Sequence, residues 1–328
     1  MTAGIAAEPR RADLQHEQRQ VRVTAMTWQA EGVLSLVLAD PDGGELRPWE
    51  PGAHIDLLLG NGLERQYSLC GDPADTTTWT VAVLAEPASR GGSAWIHRTL
   101  RPGDVLTARG PRNNFPLADA SRYLFIAGGI GITPILPMVH AVARTGGAPW
   151  RLLYGGRRRD SMAFLPAIER FGDNALVRPE DETGLLDLAA ALDWAEPGGV
   201  VYCCGPEALI TAVEAACRAR GIALRVERFA AKALDSSAEP GAFQVDCRRS
   251  GVTIEVGSDQ SIVDAVEAAG LGPRYSCLDG VCGTCETAVL EGEPEHRDSI
   301  LSQDERDAGD TMMICVSRSR SGRLVLDL

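Results

Sequence analysis

Hydrophobic and polar positions along the chain fall into three successive rhythms. From about Gln20 to Arg109, short apolar runs at 33–38, 54–59, 79–84 and 105–109 are punctuated by turns such as Pro51-Gly52 and Pro102-Gly103. Many short strands at that spacing predict an antiparallel β-barrel. From Tyr123 to Phe229 the rhythm becomes strand then helix. Strand-like runs at 123–127, 150–154, 175–178, 200–203 and 224–229 enclose helical stretches such as 135–144 and 207–220. This alternation predicts a parallel sheet with helices on both faces. A small, polar, Pro- and Gly-bearing stretch at 230–241 reads as a linker. Beyond it come strands at 243–247 and 252–256, a helix at 262–269, a Cys-rich loop and further short strands. The expected organisation is a tail at 1–19, a barrel at 20–120, an α/β domain at 121–229, the linker, and an α+β domain at 242–328. There is no internal repeat and no low-complexity segment.

Composition agrees with this division. A chain of 328 residues exceeds what one core normally serves, so two or three domains are expected. A hydrophobic fraction of 45% excludes disorder for most of its length. No uncharged apolar run approaches the ~18 residues of a membrane span, and residues 1–20 carry Arg10, Arg11 and Arg19 without an apolar core, unlike a secretory signal. A cytoplasmic protein is the simplest expectation. The net charge of −13 argues against nucleic acid or an anionic membrane as partner, since both need a basic face. The charge is uneven. Residues 241–328 hold 16 acids and 8 bases, a net of −8, against 29 and 24 in the first 240. The basic side is 31 Arg and one Lys, Lys232, which suggests coding bias rather than function.

Nine cysteines, an odd number, do not suggest a disulfide framework. Cys277, Cys282 and Cys285 form Cys-x4-Cys-x2-Cys, and Cys315 follows after 29 residues. This is the spacing of a plant-type 2Fe–2S site, in which four thiolates hold two irons. The intervening Leu278-Asp279-Gly280-Val281 and Gly283-Thr284 are small enough to wrap a cluster and aim backbone N–H groups at its sulfurs. Structural zinc more often takes two short Cys pairs, so the spacing favours iron–sulfur. Cys70, Cys203, Cys217 and Cys247 read as core thiols.

Two loops in the α/β region suit a dinucleotide. Gly128-Gly129-Ile130-Gly131-Ile132-Thr133-Pro134 follows an apolar strand and opens a helix, so its backbone can approach a pyrophosphate. It is not G-x-G-x-x-G, and a plain tight turn is the alternative. Cys203-Cys204-Gly205-Pro206-Glu207 ends a later strand, where loops line the crevice of such sheets. Cys204 there is either a neighbour of a bound nicotinamide or a small buried thiol. In the barrel, Arg65-Gln66-Tyr67-Ser68-Leu69 offers a cation for phosphate, a ring for stacking and a hydroxyl for a ring nitrogen. Arg90-Gly91-Gly92-Ser93 suits a second phosphate contact. The five His are scattered without ligand spacing; His54 and His97 are expected as barrel residues satisfied by local hydrogen bonds. No Ser/His/Asp arrangement or carboxylate pair suggests hydrolysis, and the acids within 291–298 read as a solvated face.

Taken in order, Arg65-x-Tyr67-Ser68, Gly128-Gly129-x-Gly131-x-Thr133-Pro134, Cys204-Gly205-Pro206 and the Cys277–Cys315 quartet resemble the phthalate dioxygenase reductase family, which includes vanillate O-demethylase reductase components. Asn113-Asn114-Phe115-Pro116, Glu227-Arg228-Phe229 and His296-Arg297-Asp298 add to the likeness, which covers about residues 20–328. The resemblance implies a flavin barrel, a NAD(P) domain and a C-terminal β-grasp ferredoxin. It implies FMN rather than FAD, with Gly91, Gly92 and Ser93 at the phosphate. It assigns Arg65, Tyr67 and Ser68, with Leu69 beside them, to phosphate, ring and N5, and Phe229 to the flavin face. Ser68 and Cys204 are the expected catalytic pair. NADH is the implied donor, although Arg157, Arg158 and Arg159 offer a site for the extra phosphate of NADPH. The implied protein is a monomeric reductase feeding single electrons to an oxygenase, most simply a Rieske enzyme. The rivals are a haem monooxygenase partner, or a redox-sensing interaction protein without turnover.

Overall fold

The computed structural model describes residues 18–86, 91–195, 198–230, 241–301 and 303–328. Most of the expected tail, most of the expected linker, and Arg90 lie outside them. Six antiparallel strands come first: β1 (Gln18–Ala30), β2 (Val33–Ala39), β3 (Ala53–Leu58), β4 (Glu64–Ser68), β5 (Thr78–Leu84) and β6 (Val105–Asn113). They pair in the order β4-β3-β6-β1-β2-β5, and a bridge from Leu69 to Val81 brings the two edges together. Alternation places Val21, Val23, Leu36, Leu38, Ile55, Leu57, Val81 and Val83 inside, around Trp79. A short helix absent from the sequence reading, α1 (Gly92–Arg98), adds Ile96 to that core.

The second sheet is parallel: β7 (Tyr123–Gly128), β8 (Trp150–Gly156), β9 (Ala175–Pro179), β10 (Val200–Cys204) and β11 (Ala223–Glu227), in the order β11-β10-β7-β8-β9. Its connections include α2 (Ile132–Thr145), α3 (Leu188–Trp194) and α4 (Glu207–Arg220). Both faces are covered, so β7 and β10 are buried at every position, as parallel strands require. The last strand stops at Glu227, leaving Arg228 and Phe229 beyond it.

Chain Met1–Glu227 forms one compact unit and Arg228–Leu328 another. Within the first, barrel residues Ala30, Val33, Cys70 and Ala82 share an apolar cluster with Phe125, Ile135, Leu136, Val139 and Tyr154 of the sheet layer. The connection from β6 to β7 is pinned by two phenols. Ala118 N–H donates to Tyr202 Oη (2.7 Å), and Tyr123 Oη donates to the Ala118 carbonyl (3.0 Å). These contacts set barrel and sheet in a fixed relation.

The second unit contains β12 (Phe243–Cys247), β13 (Val252–Val256), α5 (Ile262–Ala268), β14 (Glu286–Glu291), β15 (Pro294–Glu295), α6 (Gln303–Ala308), β16 (Thr311–Met313), β17 (Arg318–Ser319) and β18 (Arg323–Leu326). A β12–β13 hairpin pairs in parallel with β18, and the sheet runs β13-β12-β18-β14-β16. Helix α5, held by a Ser261–Asp264 capping box, buries Ile262, Val263 and Val266 in the core of this unit. That is a β-grasp arrangement. No helix among the described residues is long and apolar enough to cross a membrane.

Candidate functional site

Three groups of residues carry chemistry, two in the first unit and one in the second. The first begins at β4. Arg65, Tyr67 and Ser68 pair with Leu57, Ile55 and His54 of β3. Ser68 is buried, and its Oγ donates to Oε2 of Glu227 at 3.3 Å. Glu227 ends β11 directly opposite Cys204 at the end of β10. Burial holds the Glu227 carboxyl up to about 8, although the Ser68 hydrogen bond pulls the other way. Burial, then the neighbouring Glu227, raises the Cys204 thiol well above its ordinary range. Barrel hydroxyl, sheet carboxyl and sheet thiol therefore meet in one water-poor place, with acid and thiol both protonated near neutrality.

The phosphate-binding expectation falls on Arg65 and the start of α1. Gly91 takes a left-handed φ of 95°, and a Cβ on Gly92 would lie 2.7 Å from Arg65 Cγ. The loop thus runs directly along the Arg65 stem, and a side chain at position 92 would displace that stem. Ser93 Oγ accepts from the Glu86 N–H (3.2 Å). Tyr67 packs on the barrel core, and burial raises its phenol. Leu69 is fully buried in that core, and its N–H donates to the Ala53 carbonyl (2.8 Å). A guanidinium beside a Gly-Gly backbone, an aromatic ring and a buried hydroxyl together fit a flavin mononucleotide moiety. Phe229 is 46% exposed beyond β11 and belongs to the second unit.

The second group is the pair of glycine loops, which interlock. A Cβ on Gly131 would lie 2.3 Å from the Cys204 carbonyl oxygen; on Gly128, 2.7 Å from Pro206 Cδ; on Gly205, 3.0 Å from Gly128 Cα. Thr133, buried, donates to the Ile130 carbonyl (3.0 Å), and Pro134 sits in the first turn of α2. Gly129 differs: its φ of 54° is left-handed and nothing lies within 4 Å of its missing Cβ. Close packing explains three of these glycines, and an open backbone approach explains the fourth. Arg157 is exposed just past β8.

The third group is the thiol quartet. Sulfur contacts run from Cys282 to Cys277 to Cys315 to Cys285. The Asp279 N–H points at Cys277 Sγ (3.3 Å), and the Gly280 N–H at Cys315. Gly280 is left-handed, and its missing Cβ would strike Val316 Cγ2 at 2.6 Å. Cys282, Cys285 and Cys315 are buried, while Cys277 is half-buried. Among the described residues no three or more His, Cys, Asp or Glu side chains gather as a single-ion site. A row of four thiols with backbone N–H groups turned toward it fits the donor set that a two-iron cluster needs.

Two readings of single residues need correction. His97 is satisfied by the Val83 carbonyl (2.9 Å), but buried His54 has no hydrogen-bond partner at either ring nitrogen. Burial, with the nearby Arg112 charge, lowers it to about 3, so it stays neutral. Asp298 is not on a solvated face: fully buried, it accepts from the N–H groups of Ile300 and Leu301 and pairs with Arg306. Sequence reasoning also missed the role of Glu227 and the buried Asp56–Arg112 pair (2.7 Å). The signal for that pair was two polar residues, His54 and Asp56, at period two in an otherwise apolar strand.

Comparison with known proteins places these groups in context. A family model described as a 2Fe-2S iron-sulfur cluster binding domain matches residues 245–320, and one described as an oxidoreductase NAD-binding domain matches residues 125–215. Phenoxybenzoate dioxygenase subunit beta of Ectopseudomonas oleovorans is 44% identical over 311 residues, 94% of this chain and 97% of the relative. The structure of an intact type IV self-sufficient cytochrome P450 monooxygenase superposes with a TM-score of 0.88 at 43% identity. That match covers 95% of this chain, which spans 41% of the cytochrome's length. Phthalate dioxygenase reductase superposes with a TM-score of 0.69 at 33% identity, covering 95% of this chain and 98% of its own. With barrel, nucleotide sheet and cluster-binding module in the same order along almost the whole of both chains, this protein belongs to the phthalate dioxygenase reductase family.

Proposed function

We propose that this protein is the reductase component of a multicomponent oxygenase or demethylase, passing electrons from NADH through FMN and a 2Fe–2S cluster to an oxygenase partner of the Rieske type. The observation that carries this reading is the Ser68–Glu227 contact beside Cys204. It joins a barrel able to hold a flavin to the sheet edge able to hold a nicotinamide. The chemistry supplied by bound flavin and cluster would be the conversion of one hydride into a proton and two single electrons.

The chain's own residues position and tune. Arg65 with Gly91 and Gly92 would hold the phosphate, Tyr67 the ring, and Ser68 the nitrogen that receives the hydride. The open backbone at Gly129 and the N-terminus of α2 favour a pyrophosphate. Glu227, protonated below about pH 8, keeps a fixed negative charge away from the place where hydride charge arrives. The Ser68 hydroxyl donates to Glu227 Oε2, so the carboxyl keeps its own proton for a further partner. Cys204, protonated and small, lets a flat ring approach without a competing charge. Cys277, Cys282, Cys285 and Cys315 would hold the cluster. The flavin, nucleotide and ferredoxin domains are assigned to 20–120, 121–229 and 242–328, in a monomer. A cytoplasmic setting keeps the cysteines reduced, the four cluster thiols included.

Anaerobic titration of the purified protein with NADH, following flavin and cluster absorbance and identifying the released flavin, tests the reading. Bleaching of both chromophores is expected; absence of either, or full cluster absorbance in Cys282→Ser, overturns it. A second reading, donation to a haem monooxygenase, is favoured by the similarity to the cytochrome P450 chain. Turnover with a Rieske oxygenase or with a P450 haem domain as acceptor separates the two.

A further inference from the structure

The order β10-β7-β8 places three loops in a row along the carboxyl edge of the parallel sheet. Cys204 lies level with Ala127, Gly128 with Gly155, and Gly156 with Pro179. With strands ~5 Å apart, a dinucleotide whose nicotinamide is at Cys204 and whose pyrophosphate is at the Gly128–Gly131 turn runs its adenosine over the end of β8. In doubly wound sheets the residues after this second strand read the adenosine ribose: a carboxylate takes a 2′-hydroxyl, an arginine a 2′-phosphate.

Here that position carries Arg157, Arg158 and Arg159, and the structure treats them differently. Arg158 pairs with Glu31 and with Asp160. Arg159 is gripped by Glu182 through two hydrogen bonds (3.0 and 3.2 Å) and lies 3.6 Å from Glu169. Among the described residues Arg157 alone of the three has no ion pair or side-chain hydrogen bond, and it is exposed. Its carbonyl accepts from the Asp181 N–H (3.2 Å), so the exposed acids Glu180 and Asp181 stand beside it.

We infer that Arg157 is a specificity residue that admits the 2′-phosphate of NADPH, so that the protein uses both nicotinamide nucleotides. The inference rests on the reductase reading above. Glu180 and Asp181 provide acceptors for an unphosphorylated ribose, and Arg157 provides the cation for a phosphorylated one. Arg158 and Arg159 are already neutralised and contribute little to the choice.

The test is calorimetric binding of 5′-AMP and 2′,5′-ADP to the full-length holoprotein, beside anaerobic flavin reduction by NADH and NADPH. Native protein is expected to bind 2′,5′-ADP about tenfold more tightly than 5′-AMP, the strength of one charge-assisted phosphate contact. Arg157→Gln abolishes that advantage and leaves 5′-AMP affinity and flavin and cluster spectra unchanged. Arg157→Lys keeps part of it, and Arg158→Gln keeps all of it. Equal affinities in native protein, or an advantage that survives Arg157→Gln or is lost in Arg158→Gln, overturn the assignment. If NADH bleaches the flavin while 2′,5′-ADP gains nothing, only Arg157's role falls. If neither nucleotide bleaches it, the reductase reading falls with it.

Discussion

Half-buried Glu227 and buried His54, both in the first unit, pull stability in opposite directions with pH. Glu227 is held up to about 8 against an ordinary value of 4.5. Between those values the unfolded chain releases a proton that the folded one keeps, so stability falls as pH rises. His54 is lowered to about 3 from 6.5. As pH drops below 6.5 the unfolded chain gains a proton that the folded one refuses, so stability falls again. The slopes oppose each other between 4.5 and 6.5, and these two groups leave stability highest there. Thermal midpoints of the full-length protein from pH 4 to pH 9 should show a loss of roughly 5 °C on the alkaline side. Glu227→Gln should flatten that limb only. An unchanged alkaline limb in this variant would show that burial of Glu227 is not its source.

At the scale of elements, interlocking decides more than propensity. Gly131 has an ordinary helical φ of −61°, so alanine there should gain about 0.5–1 kcal/mol of backbone entropy. Its Cβ, however, would sit 2.3 Å from the Cys204 carbonyl oxygen. Forcing the two loops apart costs ~1–3 kcal/mol, which outweighs the gain. Gly131→Ala should therefore lower the thermal midpoint and raise the KM for NADH severalfold. A more stable variant with unchanged KM would show that the loops separate freely. A bulge in the barrel acts in the same way. The β3–β6 register jumps from His54–Arg112 to Asp56–Arg109, and the extra residue turns Arg112 toward Asp56 and away from the barrel interior.

For the whole molecule, the acidic excess of the last 88 residues is a property of a separate compact unit, not of the chain at large. A net of −8 on the module that holds the cluster thiols should steer a basic acceptor toward it. Reduction of cytochrome c by NADH should slow severalfold between ~0.05 and ~0.5 M salt, because screening shortens the reach of the field. NADH-driven reduction of a small dye should hardly change. Equal slowing of both would place the salt effect at the nucleotide or flavin step and remove the steering argument.

The order of modules, the strand–helix rhythm, the Cys quartet and the two glycine loops were legible in the sequence, because each is a local pattern. Period two, alternating β and α, and fixed Cys spacing all act over a few residues. The family resemblance rested on those same motifs. What tertiary structure alone decided is which distant residues share a low-dielectric space. Ser68 and Glu227 are 159 positions apart, yet they meet because β4 and the end of β11 belong to layers packed on one apolar cluster. The same packing leaves His54 without a partner and commits Arg158 and Arg159 to carboxylates on other elements. Burial and pairing depend on what lies across a core or a turn. The sequence lists those groups, but their separation in space comes only from the closed barrel and the stacked sheet.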